Sequence, residues 1–313
     1  MPDVTGKTLL KELKMNNEEL LSSLIDEWED KLHILKDKPE ENAGFIIRAL
    51  WLKASGVSVS VQKAAGMPLP ALNEEQEKEL LSLIQLRSCN YPTAYLTGRQ
   101  CFMGIELIAD QRALIPRKET ELLCNICLNL TEEIQHSTDM ARVMDICCGS
   151  GNLGIAVAYY NSNCIVYASD ISPDAVDLTI ENINFLNLDQ RVIAKQGDMM
   201  APFDYPEFYG AMDLIMCNPP YIFSSKVPQM HPEISENEPG LAFDGGALGI
   251  GIVKKFLQDS PAFLKAGGWI ALEVGLGQGN LITMLLERSG IFANISTGLD
   301  ESGNIRAVYA QKL

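Results

Sequence analysis

At 313 residues the chain can hold one large domain and a smaller one, and its 47% hydrophobic content suits a globular protein with a sizeable core. Its formal net charge of −16 argues against duplex nucleic acid as the main partner, because phosphate binding relies on Lys and Arg displacing counterions. No apolar run approaches the ~20 residues of a membrane span, and the opening "MPDVTGKTLLKELKMNN" has no apolar core of signal-peptide length. Eight dispersed cysteines in a chain of this size predict reduced thiols, not a disulfide framework, so the expected setting is cytoplasmic, with no membrane partner.

Residues 1–90 read as a small helical domain. "EELLSSLIDEWEDKLHIL" and "ENAGFIIRALWLKASG" carry apolar residues at three- and four-residue spacing. Asn73, with Gln76 three residues on, predicts a capping box at the start of another helix. A helical appendage of this kind on an enzyme suits substrate recognition. Residues 91–117 are richer in β-formers, with Gly98 and Gly104 as turn residues, and predict a hairpin linker.

From 118 to 313 strands and helices alternate, from "ARVMDI" and "GNLGIAVAYYN" through "CIVYASD", "RVIAKQGD", "MDLIMC" and "GGWIALEVG". Alternation predicts an α/β, doubly wound, mostly parallel sheet with helices on both faces. "FANISTGLD" and "NIRAVYAQKL" predict an antiparallel C-terminal edge. Cys124 and Cys127 form one C-x-x-C within a predicted helix. Structural zinc usually takes two such pairs, and the other close pair is the adjacent Cys147-Cys148, so buried thiols and no metal are expected.

Four successive strand ends carry candidate ligand-binding residues. Asp145 ends the first, and Cys147, Cys148, Gly149, Ser150 and Gly151 turn from it into a helix whose leading N–H groups can hold an anionic group. Asp170 ends the second, where a carboxylate can accept from both hydroxyls of a ribose; the other reading is a cap for the helix opening at Pro173. Asp198 and Met199 follow the third and would flank an adenine ring, although core packing also explains Met199. Asn218-Pro219-Pro220-Tyr221 follows the fourth, a stiff bend because both prolines hold φ near −65°.

In order and content these pieces resemble the class I S-adenosylmethionine-dependent methyltransferases, which implies S-adenosylmethionine as cofactor and a Rossmann-like seven-stranded sheet. There, N-P-P-Y after the fourth strand marks methylation of a nitrogen conjugated to a planar system. The resemblance implies that Asn218 Oδ1 and the Pro219 carbonyl each accept one N–H, and that Tyr221 stacks on the planar group. Adenine and glutamine amides share this device. The run Ile115-Pro116-Arg117-Lys118-Glu119-Thr120-Glu121, "NEPGLAFDGGALGI" and "WIALEVGLGQG" resemble the HemK/PrmC family of protein-(glutamine-N5) methyltransferases, from about residue 90 to the C-terminus. That family usually has Gly where Cys147 stands, although its ribosomal-protein branch also takes Cys, and Pro where Lys118 stands.

The resemblance places the cofactor on Asp145, Cys147 to Gly151, Asp170, Asp198, Met199 and Asn218, and the reacting amide on Asn218, Pro219, Pro220 and Tyr221. It implies a protein substrate, a peptide chain release factor. N-methylation of a small-molecule amide or amine in specialised metabolism is the alternative, followed by adenine-N6 methylation of nucleic acid, and then by a silent adaptor that binds partners through its helical part. His231, in the loop after N-P-P-Y, is a base on an amine substrate or a bystander. Glu233, Glu236 and Glu238 make that loop a solvated segment or an acidic rim for a basic partner, and Arg117 orients the linker or pairs with a carboxylate.

Overall fold

The computed structural model describes residues 16–35, 37–136, 138–246 and 249–313. The opening stretch up to residue 15, and Ala247 and Leu248 of the loop after N-P-P-Y, lie outside the described residues. The chain divides into two compact units at Thr97/Gly98.

The first unit contains helices Asn17–Trp28, Ala43–Ala54, Val61–Ala64, Glu74–Ser88 and Thr93–Thr97. Asn73 and Gln76 form the reciprocal capping box that their spacing predicts, and Asn16 with Glu19 forms a second one. Leu24, Ile46, Ile47, Leu50, Trp51, Leu80 and Ile84 pack into one apolar core. Trp51 is wholly buried and its indole N–H donates to the Pro70 carbonyl at 2.8 Å. Arg87 is also buried. Its guanidinium donates to Thr93 Oγ1, to the His33 carbonyl and to Glu41, so its charge enters the interior with partners.

The second unit begins with the hairpin β1 (Arg99–Phe102) and β2 (Ile105–Ile108), joined by Met103 and Gly104, both at positive φ. The main sheet follows: β3 (Ala141–Ile146), β4 (Cys164–Asp170), β5 (Val192–Gln196), β6 (Met212–Cys217), β7 (Leu264–Glu273), β8 (Phe292–Leu299) and β9 (Ile305–Lys312), in the order β5-β4-β3-β6-β7-β9-β8. β3 to β7 run parallel, and β9 is antiparallel to both β7 and β8. Every residue of β6 is buried, as expected of a central parallel strand covered on both faces.

One face of the sheet packs with helices Thr120–Gln135 and Asn152–Tyr160 around Leu123, Leu130, Ile155 and Val166. The other packs with helices Gly251–Phe263 and Gly279–Ser289 around Ile146, Phe256, Ile215 and Ile282. Each fully buried side chain of this size contributes about 1.5–3 kcal/mol, so both layers are strongly held. Cys124 and Cys127 sit inside the first layer, where burial pushes both thiols well above their usual pKa. Strand order reverses between β3 and β6. A crevice therefore opens at their carboxyl ends, the position at which doubly wound sheets bind ligands. Among the described residues no helix is long and apolar enough to cross a membrane.

Candidate active site

Beyond β3 the chain makes a turn of left-handed residues: Cys147 at φ 61°, Gly149 at 56° and Gly151 at 80°. Glycine adopts this region freely, whereas Cys147 carries a side chain there and stores local strain. The turn is held from below. Thr179 Oγ1 donates to the Gly149 carbonyl at 2.8 Å, and Asn182 Nδ2 donates to the Ser150 carbonyl at 3.1 Å. Asn182 also exchanges hydrogen bonds with the backbone of Ile108, tying the hairpin to the turn. A Cβ at Gly151 would lie 2.7 Å from Thr179 Cγ2, so helix Pro173–Phe185 fits closely under that residue.

Asp145 is fully buried beneath the turn, where its Oδ2 accepts the Gly154 N–H at 2.8 Å. Burial raises its pKa to about 7; the Gly154 N–H opposes this and Asp170 adds to it. Asp170, at the end of β4, accepts from Gly149 N–H through Oδ2 and from Ser172 N–H through Oδ1, both at 2.9 Å. Burial raises its pKa too, with the backbone N–H groups pulling against it. Ser172 is the residue that caps the following helix, so Asp170 braces the turn and does not form the cap itself.

A cavity of about 410 Å³ lies over these strand ends. Cys147, Cys148, Gly149, Ser150, Asp170, Asp198, Met199, Asn218 and Pro220 line it; Asp145, Gly151, Pro219 and Tyr221 do not. Asp198 is exposed and pairs with Lys255. Met199 is buried at φ 54°, and its carbonyl accepts the Ser169 hydroxyl at 2.7 Å.

The N-P-P-Y bend is mounted on a polar network that the sequence reading did not contain. Asn218 Nδ2 donates to Thr120 Oγ1 at 3.3 Å, and among the described residues no donor occupies its Oδ1. Tyr221 donates its hydroxyl to Glu273 Oε1 at 3.0 Å, and burial first, then Glu273, hold the phenol far above its usual pKa. Arg306, from β9, donates to Glu119 at 2.9 Å and to the Tyr221 oxygen at 3.4 Å. Gln278 Nε2 holds the Tyr221 carbonyl at 3.0 Å. The ring of Tyr221 is thus anchored away from the cavity lining. Spacing alone carries no signal for these partners, because they come from three segments distant from the bend, at 119–120, 273–278 and 306.

The loop after the bend folds back so that Ile222 N–H donates to the Phe243 carbonyl and Gly245 N–H to the Ile222 carbonyl. Glu236 is exposed, as expected of the loop, but its two acidic neighbours depart from the solvated rim. Glu233 and Glu238 are buried, and Glu238 accepts from Arg117 at 2.5 Å and from Ile115 N–H at 3.0 Å. His231 caps the short helix Pro232–Ser235, its Nδ1 accepting Glu233 N–H at 3.2 Å, and it does not line the cavity.

Residues 127–266 match the Methyltransferase small domain family model. The release factor glutamine methyltransferase of Clostridium acetobutylicum is 33% identical over 76% of this chain and 81% of its own length. That of Geobacter sulfurreducens is 30% identical over 88% and 91%. The ribosomal protein uL3 glutamine methyltransferase of Bradyrhizobium diazoefficiens is 36% identical over 64% and 63%. Among solved structures, the hMettl16 catalytic domain in complex with an RNA hairpin superposes with a TM-score of 0.51 at 15% identity, covering 78% of this chain and 83% of that one, a likeness of fold alone. With this identity across most of its length, the chain belongs to the HemK/PrmC family of protein glutamine methyltransferases.

Proposed function

We propose that this enzyme methylates the side-chain amide of a glutamine in a protein, with a peptide chain release factor as target and S-adenosylmethionine as donor. The observation that carries the reading is Asn218, a cavity-lining amide whose Nδ2 is committed to Thr120 and whose Oδ1 remains to accept an incoming N–H. The cavity fits the donor. Asp170 keeps lone pairs for hydroxyl groups after accepting two backbone N–H bonds. Ser150 Oγ is buried on the cavity wall with no hydrogen-bond partner among the described residues, a vacant position for a ligand's polar atom. The volume also lies in the range of small-molecule sites.

When bound, S-adenosylmethionine supplies an electrophilic methyl carbon on a sulfonium sulfur. Asp170, Ser150 and the Cys147–Gly151 turn would hold it, with Met199 packing beside it. Asn218 Oδ1 would accept one N–H of the glutamine amide and the Pro219 carbonyl the other, which draws electron density toward nitrogen and aims its lone pair. The nitrogen exchanges one proton for the new carbon, and that proton leaves after the bond forms, so no strong base is required of the chain. The rate gain comes from positioning and fixed dipoles. Pro220 forms part of the cavity wall, and the anchored Tyr221 behind it stiffens the bend. The relatives' names and the acidic surface support a protein acceptor over nucleic acid.

The test is transfer of label from S-adenosylmethionine to a release factor, ribosomal protein uL3, a small-molecule extract and DNA in parallel. Label on a glutamine of the release factor is the expected result, and label confined to the small-molecule fraction overturns the reading. Asn218→Ala should slow transfer by about 100-fold or more while calorimetric cofactor affinity stays near wild type.

A further inference from the structure

We propose that three leucines at the carboxyl end of the sheet, Leu241, Leu276 and Leu299, form a docking rim for the apolar surface that flanks the glutamine of a protein substrate. The inference deepens the glutamine reading and rests on it. Among the described residues five aliphatic side chains are more than half exposed: Ile171, Leu241, Leu276, Leu299 and Leu313. Singly exposed leucines are ordinary, but four of these five share one end of the fold. Ile171 follows β4, Leu241 lies in the loop after β6, and Leu276 follows β7. Leu299 ends β8, which runs parallel to β7 because both are antiparallel to β9. This is the end at which the cavity opens.

Two of the leucines are mounted on the N-P-P-Y bend itself. Leu241, 71% exposed, is carried by the loop whose Gly245 N–H donates to the Ile222 carbonyl at 2.8 Å. A Cβ on Gly245 would lie 2.8 Å from the Pro220 carbonyl oxygen, so loop and bend touch backbone to backbone. Leu276, 67% exposed, sits between Gly275 and Gln278. A Cβ on Gly275 would lie 3.0 Å from Tyr221 Cδ2, and Gln278 Nε2 holds the Tyr221 carbonyl. By ordinary bond lengths a glutamine's amide nitrogen lies only about 5 Å from its own Cα. An acceptor whose amide reaches Asn218 must therefore bring its backbone to the cavity mouth and its neighbouring side chains onto these loops. Ile171 and Leu241 line the cavity, whereas Leu276 and Leu299 lie off it, so a ligand inside cannot cover them all. A second copy of the chain seated on the rim would shut the mouth against the glutamine. A protein substrate covers the leucines and leaves its glutamine inside.

Steady-state labelling of the release factor, with calorimetry of cofactor binding alongside, tests this. Leu276→Ser and Leu299→Ser should each raise KM for the release factor by about 5- to 10-fold, with kcat near wild type, as the loss of uniform binding requires. Cofactor affinity should hold in both, which also reports an intact fold. Leu241→Ser should raise KM by about 10-fold or more. Leu276→Met keeps an apolar side chain of similar volume and should restore the wild-type KM. Met140→Ser removes exposed apolar surface just before β3, at the opposite end of the sheet, and should leave KM unmoved. An unmoved KM in Leu276→Ser and Leu299→Ser, or an equal rise in Met140→Ser, overturns the proposal. A wild-type dimer that Leu276→Ser dissociates in sedimentation, with KM unmoved, would assign the rim to a second copy and overturn it likewise. A wild-type enzyme that labels no protein glutamine rejects the glutamine reading itself, before any leucine is changed, so the two failures are distinguishable.

Discussion

Two glycines of the turn after β3 offer a controlled experiment. Gly149 and Gly151 both have positive φ, 56° and 80°. A Cβ on Gly149 meets nothing within 4 Å, whereas one on Gly151 lies 2.7 Å from Thr179 Cγ2 and 2.9 Å from Ile155 Cδ1. Alanine at either position bears the left-handed penalty of about 1–2 kcal/mol, partly offset by about 0.4–1 kcal/mol from a less flexible unfolded chain. Gly149→Ala should therefore cost about 1 kcal/mol. Gly151→Ala adds an overpacking cost of about 1–3 kcal/mol, for a total of about 2–4 kcal/mol. Thr179→Ser removes the clashing methyl and keeps the hydroxyl that holds the Gly149 carbonyl, so in the Gly151→Ala background it should recover about 1 kcal/mol. Denaturant midpoints at constant m-value measure all four proteins. Equal costs at the two glycines, or additive costs for Gly151→Ala and Thr179→Ser, would refute the steric argument.

Asp145→Asn should flatten the pH dependence of stability. The carboxyl rises from an ordinary 3.8 to about 7 on folding, so between these values the folded state retains a proton that the unfolded state has lost, and stability falls as pH rises through that window. Midpoints at pH 5 and pH 8 should converge in the variant apart from the share of Glu273, which shifts the same way from 4.5 to about 7; an unaltered slope rejects the assignment. Asp170→Ala should weaken cofactor binding by at least about tenfold through lost hydrogen bonds to a charged group, and an unchanged calorimetric affinity would remove the ribose role. Glu238→Ala takes the carboxylate from both Arg117 and the Ile115 N–H, at a local cost of about 3 kcal/mol. Faster amide exchange across residues 227–243 and weaker cofactor binding should accompany it, since Pro239, Leu241 and Ala242 line the cavity.

The parts governed by local physics were legible in the chain itself. The Asn73–Gln76 cap, the hairpin near Gly104 and the alternating strands follow from spacing and turn chemistry, and they appear where those rules put them. Most of the strand-end candidates also converge on one cavity, because a parallel sheet brings successive carboxyl ends to one side, while Asp145, Gly151, Pro219 and Tyr221 stay off its lining. Tertiary partners were not legible. Nothing in "IPRKETE" indicates that Thr120 will meet Asn218, or that Arg306, nearly two hundred residues on, will meet Glu119. The acidic loop misled for the same reason. Glu238 reads as a surface charge until the fold supplies Arg117 and a backbone N–H to it. Tyr221 likewise reads as a stacking platform until Glu273 and Arg306 fix its hydroxyl.

The placement of β9 between β7 and β8 bears on how far this enzyme can be reduced. The segment matched by the domain model, residues 127–266, contains every glycine of the turn and the whole N-P-P-Y bend. Thr120 and Ile108 precede it, and Glu273, Gln278 and Arg306 follow it. Cut at those borders, the chain would keep Asn218 and lose the side chains that hold it and Tyr221, and all but the first three residues of β7 would go with them, leaving β6 as an open edge ready to pair with another copy. The four-residue bend is therefore not a transplantable cassette. A scaffold that received it would also need a hydroxyl, a carboxylate and a guanidinium converging from three other directions.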